Sequence, residues 1–509
     1  MSHLPSEPEF EQVRASRAPP ASSCAHSRPA LPSPFLPPTQ ALHEVEQTLA
    51  PFLKKHPEYK KALEIVQIPE RIIQFRVVWE GEYCLVQRCR TSAAIPDLNC
   101  PPVQLCAGAI QGRPASAVSG VSRHRRPSSD SPLHSHPSPT VNLSILKFLG
   151  FEQVFKNALT GMSIGGGKGG SDFDPKGKSP AEVRRFVKVP VSPHGADTDV
   201  PAGDVGFSTR EGGFLFGQYK AIKNEWVGMI TGKGLDWGGS HVRPEATGYG
   251  LVYNVEHMIK HAEGEGSKGF AGKTIAISGS GQVAQFAALK CMELGAIVLS
   301  LSDSKGALLV KDKSKPYTKE MIQEVYKIKY DRKELSTLGD KSGALEFHKD
   351  GARPWQLLDA YDIALPCATQ NELDANDAKA AIKKGCKFVA EGSNMGVDAG
   401  ESKCLKRTRI AKGKQGCWYG PGKAANAGGV ATSALEMAQN SQRLTWKPAE
   451  VDQKLKDIMK DCYDICFKTG AEFPSEGDSQ KDMPSLVQGA NISGFKRVAD
   501  AMLQHGDYF

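Results

Sequence analysis

The chain has 509 residues, of which 40% are hydrophobic and 24% charged, so it is long enough for two or three globular domains. Its formal net charge of +8 is mild for this length and gives little support to a nucleic-acid-binding role. No apolar run approaches the ~20 residues that a membrane-spanning helix needs.

The twelve cysteines are scattered, and no Cys-x-x-Cys pair occurs. Reduced thiols are therefore expected rather than disulfides or a zinc site, and we predict no metal site of any kind. The N-terminal residues lack the apolar core of a secretory signal. A cytoplasmic location is the resulting expectation.

Residues 14–40 are rich in Pro, Ser, Ala and Arg, and the N-terminal segment 1–40 is predicted to be disordered. Apolar spacing over 41–65 predicts a helix that breaks near Pro51 and Pro57. The β-branched and aromatic run 72–79 predicts a strand.

No period of 2 or 3.6 is sustained over residues 81–139, which hold four cysteines and many Pro and Ser. This segment is predicted to be irregular. Order resumes with a helix from Val141 to about Phe155, which leads to a glycine-rich loop at 165–178.

Five glycines surround Lys168 in that loop. Glycine lacks a Cβ and lets backbone and ligand approach closely. Repulsion by Lys156, Lys176 and Lys178, together with burial, would favour a neutral Lys168 amine able to move protons. A flexible basic loop on a phosphate or in solvent is the alternative.

A helix predicted from Pro180 is cut short by Pro190 and Pro193. The turn-rich segment 195–204 follows and carries three carboxylates. These aspartates could cap turns, or one of them could be a proton-transfer partner of Lys168.

A dinucleotide-binding pattern begins at the predicted strand 273–278. A Gly-x-Gly-x-x-Ala turn at Gly279–Ala284 opens a helix to Glu293, and a second strand, 297–301, ends beside Asp303. The glycines let a pyrophosphate approach the helix N-terminus. Because both strands and the acidic residue are in place, the pattern favours a dinucleotide site.

Two further buried strands, 363–368 and 388–391, end in polar residues, including Thr369, Asn371 and Asn394. Ligands bind at the carboxyl ends of parallel strands. The segment 397–419 is predicted to be basic and irregular. The segment 424–433 is predicted to precede a long helix that ends at about Arg443, and further helices are predicted from Leu444 to Phe467 and from Phe495 to Leu503.

Taken together in this order, several segments resemble hexameric glutamate dehydrogenases, closest to the NADP-dependent fungal type: Phe151–Lys178, Gly195–Asp204, Arg243–Gly250, Gly279–Ala284, Leu365–Asn371, Ala390–Met395 and Gly420–Asn440. The resemblance implies an α/β protein of two domains. The first, 41–245, is a mixed-sheet substrate-binding and oligomerisation domain, and the second, 246–425, is a Rossmann-like doubly wound dinucleotide-binding domain. Helices in 426–509 return to the first domain.

The resemblance also implies roles for individual residues. Lys168 and Asp204 would be catalytic. Substrate would be bound by Gln153, Lys156, Gly203, Arg243 and Ser433. The cofactor would be bound by Thr247, Gly279, Ser280, Gly281, Gln282, Val283, Ser302, Asp303, Lys176, Thr369, Asn371 and Asn394.

The implied reaction is the reversible oxidation of glutamate to 2-oxoglutarate and ammonia by a homohexamer. An acidic residue after the second strand usually binds the ribose 2′-OH of NAD. Ser302, Lys176 and Lys305 could compensate for Asp303, and the similar fungal enzymes use NADP despite a Ser-Asp pair here. We therefore expect NADP(H).

Three segments depart from the family pattern: 81–139, 187–194 and 397–419. The first lacks the Tyr-Lys-Gly-Gly-hydrophobic-Arg segment whose lysine would bind the γ-carboxylate, and the strands carrying it are expected to be missing. Each segment departs abruptly from the family pattern, whereas the sequence on both sides of it matches well. This suggests that the chain is translated from a defective gene model. The alternatives are a catalytically impaired dinucleotide-binding subunit or a related amino-acid dehydrogenase.

Overall fold

The computed structural model describes most of the chain from Pro38 to Asp507. The described residues are 38–80, 86–95, 103–107, 143–171, 173, 178–188, 195–197, 199–203, 207–331, 333–341, 343–397, 405, 408–478, 480 and 482–507. Residues 1–37, predicted to be disordered, lie outside them.

The described elements alternate between strands and helices along most of the chain. The strands are β1 Arg71–Glu80, β2 Val86–Ile95, β3 Val103–Ala107, β4 Gly165–Ser171, β5 Asp199–Gly203, β6 Thr274–Ile277, β7 Ile297–Val298, β8 Ser300–Asp303, β9 Gly306–Val310, β10 Leu345–His348, β11 Ile363–Leu365, β12 Phe388–Ala390 and β13 Trp418–Gly420. The helices are α1 Pro38–Lys55, α2 Lys60–Val66, α3 Leu143–Leu159, α4 Pro180–Val187, α5 Thr209–Lys223, α6 Ala246–Glu263, α7 Gln282–Glu293, α8 Lys319–Tyr330, α9 Ser336–Lys341, α10 Pro354–Leu357, α11 Ala375–Lys383, α12 Gly422–Ala425, α13 Gly428–Gln442, α14 Pro448–Glu472 and α15 Leu486–His505.

A five-stranded mixed sheet with the order β1-β2-β4-β3-β5 forms the first half of the structure. Strand β2 runs antiparallel to β1 and β4, whereas β3 runs parallel to β4 and β5. The prediction that 81–139 is irregular and lacks strands is therefore wrong for β2 and β3. Strand β3 pairs with β4 and β5, which are distant in sequence, and β2 pairs with the distant β4 as well as with the adjacent β1. Local patterning does not reveal the distant pairings.

The glycine loop and the aspartate turn were also misassigned in part. Residues Gly165–Ser171 form the buried strand β4, and Asp199–Gly203 form β5. Glycine has a low strand propensity, so a glycine-rich run is typical of a loop. Here the pairing of β4 with strands on both sides overrides that preference.

A parallel sheet with the order β13-β12-β11-β6-β7 forms the second half. Ile275, Ile277 and Leu365 belong to a core cluster on one face, whereas Ala276 and Ala364 belong to a different cluster. Helices thus cover both faces, which confirms the predicted doubly wound α/β class. Strand β13 was not predicted, because 417–420 is a short segment that pairs only with β12.

The predicted strand 297–301 divides between two sheets. Residues Ile297–Val298 pair with β6, and Ser300–Asp303 pair with β9 in a separate antiparallel sheet of order β10-β9-β8. The amide of Leu299, between them, still donates to the Ile275 carbonyl. Asp303 therefore lies at the end of β8, where the chain turns back to Gly306.

Helices α1, α3 and α15 pack together around a core that includes Leu49, Phe52, Phe155 and Phe495. The predicted break at Pro51 is wrong, since α1 continues through it to Lys55. The neighbours Leu49 and Phe52 are fully buried, and this packing maintains the helix despite the lost donor. None of the helices in the described ranges is long and apolar enough to cross a membrane.

Helices α14 and α15 approach each other at Gly489. A Cβ placed there would overlap the carbonyl oxygen of Cys466. Because that oxygen belongs to backbone, Gly489→Ala should force the helices apart and destabilise the protein by about 3 kcal/mol. Gly217 of α5 is exposed, and a Cβ added to it would have nothing within 4 Å. Gly217→Ala should therefore be neutral or stabilise by up to ~1 kcal/mol. Urea unfolding of both variants tests the contact, and equal midpoints would contradict it.

Glu391 follows β12 and joins this strand to α12. Its buried carboxylate accepts hydrogen bonds from the amides of Val397 (2.7 Å) and Gly422 (2.6 Å). Burial raises the pKa of Glu391 to about 7, although these hydrogen bonds oppose the shift. Between its ordinary value of 4.5 and pH 7, the folded chain holds a proton that the unfolded chain releases.

Stability from Glu391 is therefore fully present below pH 4.5 and is lost as the pH rises to 7. We expect the unfolding free energy of wild type, minus that of Glu391→Gln, to fall by about 3 kcal/mol across this range. Denaturation of both proteins in urea at several pH values measures the difference. A difference independent of pH would be inconsistent with a raised pKa.

Candidate active site

Lys168 lies on β4 in the middle of the mixed sheet and is only 6% exposed. It pairs with Ala94 of β2 on one side and with Cys106 of β3 on the other. The structure therefore places the lysine on a buried strand rather than in a flexible loop, which excludes the alternative of a solvated basic loop.

Helix α3 lies directly on this glycine strand. A Cβ at Gly166 would be 2.9 Å from the Val154 nitrogen and 3.1 Å from the Gln153 carbonyl carbon. The side-chain amide of Asn157 donates to the Gly165 carbonyl at 2.6 Å. At Gly166, glycine is thus required for helix packing, whereas the sequence had suggested ligand approach. The packing brings Gln153 to the strand that carries Lys168.

Gln153 and Lys156 are one turn apart on α3 and therefore share a face of the helix. Gln153 is buried and Lys156 is partly buried. An ion pair between Glu152 and Lys423 (2.9 Å) joins the same part of α3 to α12. The helix proposed to bind substrate is thereby fixed to the segment that follows the parallel sheet.

Strand β5 ends at Gly203, the residue before the predicted catalytic aspartate. Cys106 of β3 is in register with Lys168 on one side and with Ala202 on the other. Two strand spacings of about 4.8 Å therefore separate the Lys168 backbone from Ala202. Asp204 itself lies outside the described residues, as does Lys176.

Arg243 and Ser433 meet although 190 residues separate them in sequence. The Arg243 Nε donates to the Ser433 Oγ at 2.7 Å, and the Thr231 hydroxyl donates to the same oxygen at 3.0 Å. Thr247 packs against Gly429, where a Cβ would overlap its hydroxyl. Three predicted site residues, Arg243, Thr247 and Ser433, thus converge at the N-terminal half of α13.

The dinucleotide turn has the expected strand–turn–helix geometry. Gly279 has φ +81°, and a Cβ there would lie 2.6 Å from the Cys367 carbonyl oxygen. Gly281 precedes α7 and is exposed, and a Cβ added to it would have nothing within 4 Å. The space beside Gly281, at the N-terminus of a 12-residue helix, suits a pyrophosphate. Ser280, Gln282 and Val283 lie at the same turn.

Ser302 connects this turn to the end of β8. Its hydroxyl accepts from the Gly279 amide at 2.9 Å, and its amide donates to the Gly279 carbonyl at 3.0 Å. The predicted cofactor residue Ser302 therefore fixes the glycine turn directly.

Asp303 is fixed by hydrogen bonds from three nearby residues. Lys329 Nζ (2.6 Å) and the Leu335 amide (2.9 Å) donate to one oxygen, and the Lys305 amide (2.9 Å) donates to the other. Burial tends to raise the pKa of Asp303, but these hydrogen bonds lower it overall. Asp303 is therefore a charged carboxylate with a lysine counter-ion, and its repulsion of a nearby phosphate is reduced.

Polar residues line the carboxyl ends of β11 and β12, as predicted. Asn371 has φ +51°, and its amide donates to the Met395 carbonyl at 2.7 Å. Asn394 accepts from the Asn426 side-chain amide at 3.1 Å. Thr369 precedes Asn371 in the same strand end, and its carbonyl accepts from the Ser393 hydroxyl.

A buried acid that was not identified from the sequence supports this strand end. Glu372 accepts from the Ala368 amide (2.9 Å) and the Ser393 hydroxyl (3.2 Å). Burial raises the pKa of Glu372 to about 7 against these hydrogen bonds. Thr231, Lys233 and Glu436 were missed as well. The only signal for Glu436 was its place one turn after Ser433, on a helix otherwise rich in small residues.

Comparisons with known proteins identify one family of similar sequences. The sequence model described as "Glutamate/Leucine/Phenylalanine/Valine dehydrogenase" matches residues 238–506, and the "Glu/Leu/Phe/Val dehydrogenase, dimerisation domain" matches 133–221. The NADP-specific glutamate dehydrogenase of Agaricus bisporus is 51% identical, over 92% of this chain and 98% of its own. That of Penicillium chrysogenum is 48% identical over the whole of both chains.

A solved structure, that of Plasmodium falciparum glutamate dehydrogenase, is similar to this fold with a TM-score of 0.78. It is 36% identical in sequence and aligned over 92% of this chain and 91% of its own. The chain belongs to the Glu/Leu/Phe/Val dehydrogenase family.

Proposed function

We propose that this chain is an NADP-dependent glutamate dehydrogenase that interconverts L-glutamate with 2-oxoglutarate and ammonia. The observation that carries the proposal is the buried Lys168 on β4, which β3 separates from β5, the strand that ends at Gly203. The names of the relatives and the convergence of Arg243 with Ser433 support the same reaction.

Each group then has a chemical role. Lys156 and Gln153 would bind the α-carboxylate of glutamate, and Ser433 with Arg243 would lie at its side chain. The Lys168 amine would polarise the water that attacks the oxidised substrate, and Asp204 would transfer protons. NADP⁺, when bound, supplies the hydride acceptor. Gly279–Val283, Ser302, Thr369, Asn371 and Asn394 are the residues that would hold it.

The Asp303–Lys329 pair supports NADP over NAD. A free carboxylate at this position would repel a 2′-phosphate, whereas a carboxylate bound by Lys329 and the Leu335 amide carries its counter-ion with it. Homohexameric assembly and a cytoplasmic location are further proposals, which rest on the resemblance and on the match to a dimerisation domain.

The alternatives have weaker support. No lysine occurs in 81–139, so the lysine that the resemblance assigns to the γ-carboxylate has no counterpart there. However, β2 and β3 complete the mixed sheet, and the match to the Penicillium enzyme extends over the whole chain. Apart from the absence of this lysine, no observation favours an impaired subunit or a dehydrogenase for apolar amino acids.

The purified chain should oxidise NADPH only when both 2-oxoglutarate and ammonium are present. Lys168→Ala should lower kcat by about 10²–10⁴-fold, because it removes the group that polarises water. NADPH binding, followed by fluorescence titration, should be unchanged. Lys188→Ala, at an exposed lysine after α4, is the control and should keep full activity. Undiminished turnover by Lys168→Ala would refute the catalytic assignment.

Lys329→Met should reduce the preference for NADPH, because the Asp303 charge would lose its counter-ion. We expect kcat/KM for NADPH to fall about tenfold, equivalent to ~1.4 kcal/mol, with little change for NADH. Lys327→Met provides the control on the same helix, since this lysine is largely exposed. An unchanged ratio of the two kcat/KM values would show that the Asp303–Lys329 pair does not affect cofactor choice.

A further inference from the structure

A buried ion pair lies next to the Arg243–Ser433 contact. Lys233, in the loop between α5 and α6, and Glu436, on α13, have side chains that are 1% and 0% exposed. The Lys233 Nζ and the Glu436 carboxylate are 2.6 Å apart. We call Thr231, Lys233 and Glu436 the loop clamp.

Glu436 binds backbone as well as the lysine. Its carboxylate accepts from the amides of Gly232 (2.9 Å) and Lys233 (3.4 Å), and the Lys233 Nζ also donates to the Ile230 carbonyl. These contacts of Lys233 and Glu436 hold the chain between Ile230 and Lys233 in one conformation.

The held conformation is one that the local sequence opposes. Ile230 has φ +71°, and Val242, which precedes Arg243, has φ +65°. A β-branched residue in this region is strained and persists only when its surroundings determine it. The clamp provides such surroundings at one end of the loop. Further along the loop, Asn440 of α13 donates to the Gly238 carbonyl at 2.8 Å.

The loop connects two parts of the site. The Thr231 amide donates to the Pro201 carbonyl of β5 at 2.8 Å, and Thr231 pairs with Ala202 in a parallel bridge. Its hydroxyl donates to Ser433 at 3.0 Å. Thr231 is therefore the direct link between Ser433 and the strand that leads to Gly203 and Asp204.

The energetics of the Lys233–Glu436 pair also favour a role in positioning the loop over a role in stability. Removing two charges from water is costly, and apolar replacements of a buried pair are often as stable or more stable. Burial lowers the pKa of Lys233, and the Glu436 carboxylate opposes this by favouring the charged amine. A gain in stability therefore does not explain why this pair is buried. A role in fixing two backbone amides and a strained loop does explain it.

We propose that Lys233 and Glu436 are positioning residues of the glutamate side-chain pocket, acting through Thr231 on Ser433 and on the end of β5. The proposal rests on the proposed function, because it assigns the pocket to the side chain of glutamate. Loss of the clamp should weaken the binding of glutamate and 2-oxoglutarate without affecting the binding of NADPH.

The test compares KM values with thermal stability in the full chain. Glu436→Gln and Lys233→Met should each raise KM for 2-oxoglutarate by tenfold or more, with KM for NADPH changed less than twofold. The paired apolar variant Lys233→Met/Glu436→Leu should recover much of the lost Tm but retain the high KM. Thr231→Val, which replaces the hydroxyl with a methyl group of similar size, should raise KM for 2-oxoglutarate with little loss of Tm.

The matched control is the ion pair between Arg409 and Asp478, whose side chains are 6% and 4% exposed. Arg409→Met/Asp478→Leu should leave both KM values unchanged. The proposal is overturned if the paired apolar clamp variant recovers wild-type KM together with Tm, or if Thr231→Val leaves KM for 2-oxoglutarate unchanged.

Failure of the proposed function gives a different result. In that case wild type itself shows no ammonium-dependent oxidation of NADPH. Calorimetric titration of the NADP-loaded wild type and variants with 2-oxoglutarate still decides the role of the clamp. Wild-type binding that is weakened in the clamp variants supports the proposal, and equal affinities, or no binding by wild type, overturn it.

Discussion

Helix α3 lies so close to strand β4 that its backbone at Val154 leaves no room for a Cβ at Gly166. This contact determines the substrate side of the site, because Gln153 belongs to the helix and Lys168 to the strand. Larger residues at Gly166 would separate the two elements and move the carboxylate-binding groups away from the amine. The primary role of Gly166 is therefore to allow this close packing, and the position of Lys168 relative to Gln153 depends on it.

The cofactor side depends on a similar close approach. Gly279 lies against the Cys367 carbonyl, and Ser302 forms two hydrogen bonds with Gly279. The turn is therefore fixed by its neighbours on both sides. Gly281, by contrast, has free space around it. A rigid turn with one open position presents the helix amides to an anion without reorganisation, which favours tight phosphate binding.

The features that the sequence predicted are those that local chemistry determines. The turn at Gly279, the helix after it and the strand at 72–79 follow from glycine spacing and hydrophobic patterning. Strand β3 was missed because it pairs with strands far away in the chain, and β13 because it is a short segment. Strand β2 lies in a segment without sustained alternation, and β4 is rich in glycine, which is typical of a loop. The contact of Lys233 with Glu436 spans 203 residues, and neither residue shows its partner locally. Long-range pairing of this kind requires the folded structure.

Backbone strain and buried acids occur together on both sides of the site. Ile230 and Val242 on the substrate side, and Asn371 and Met395 on the cofactor side, all have positive φ. Glu436 binds the amides beside Ile230, and Glu372 follows Asn371 directly while accepting from the Ala368 amide. Carboxylates can accept several backbone amides at once, and in a low-dielectric interior such hydrogen bonds are strong. Buried acids are thus suited to hold backbone conformations that the local sequence disfavours. The strain and the desolvation of the acids cost stability, but they fix the backbone geometry that the proposed site requires.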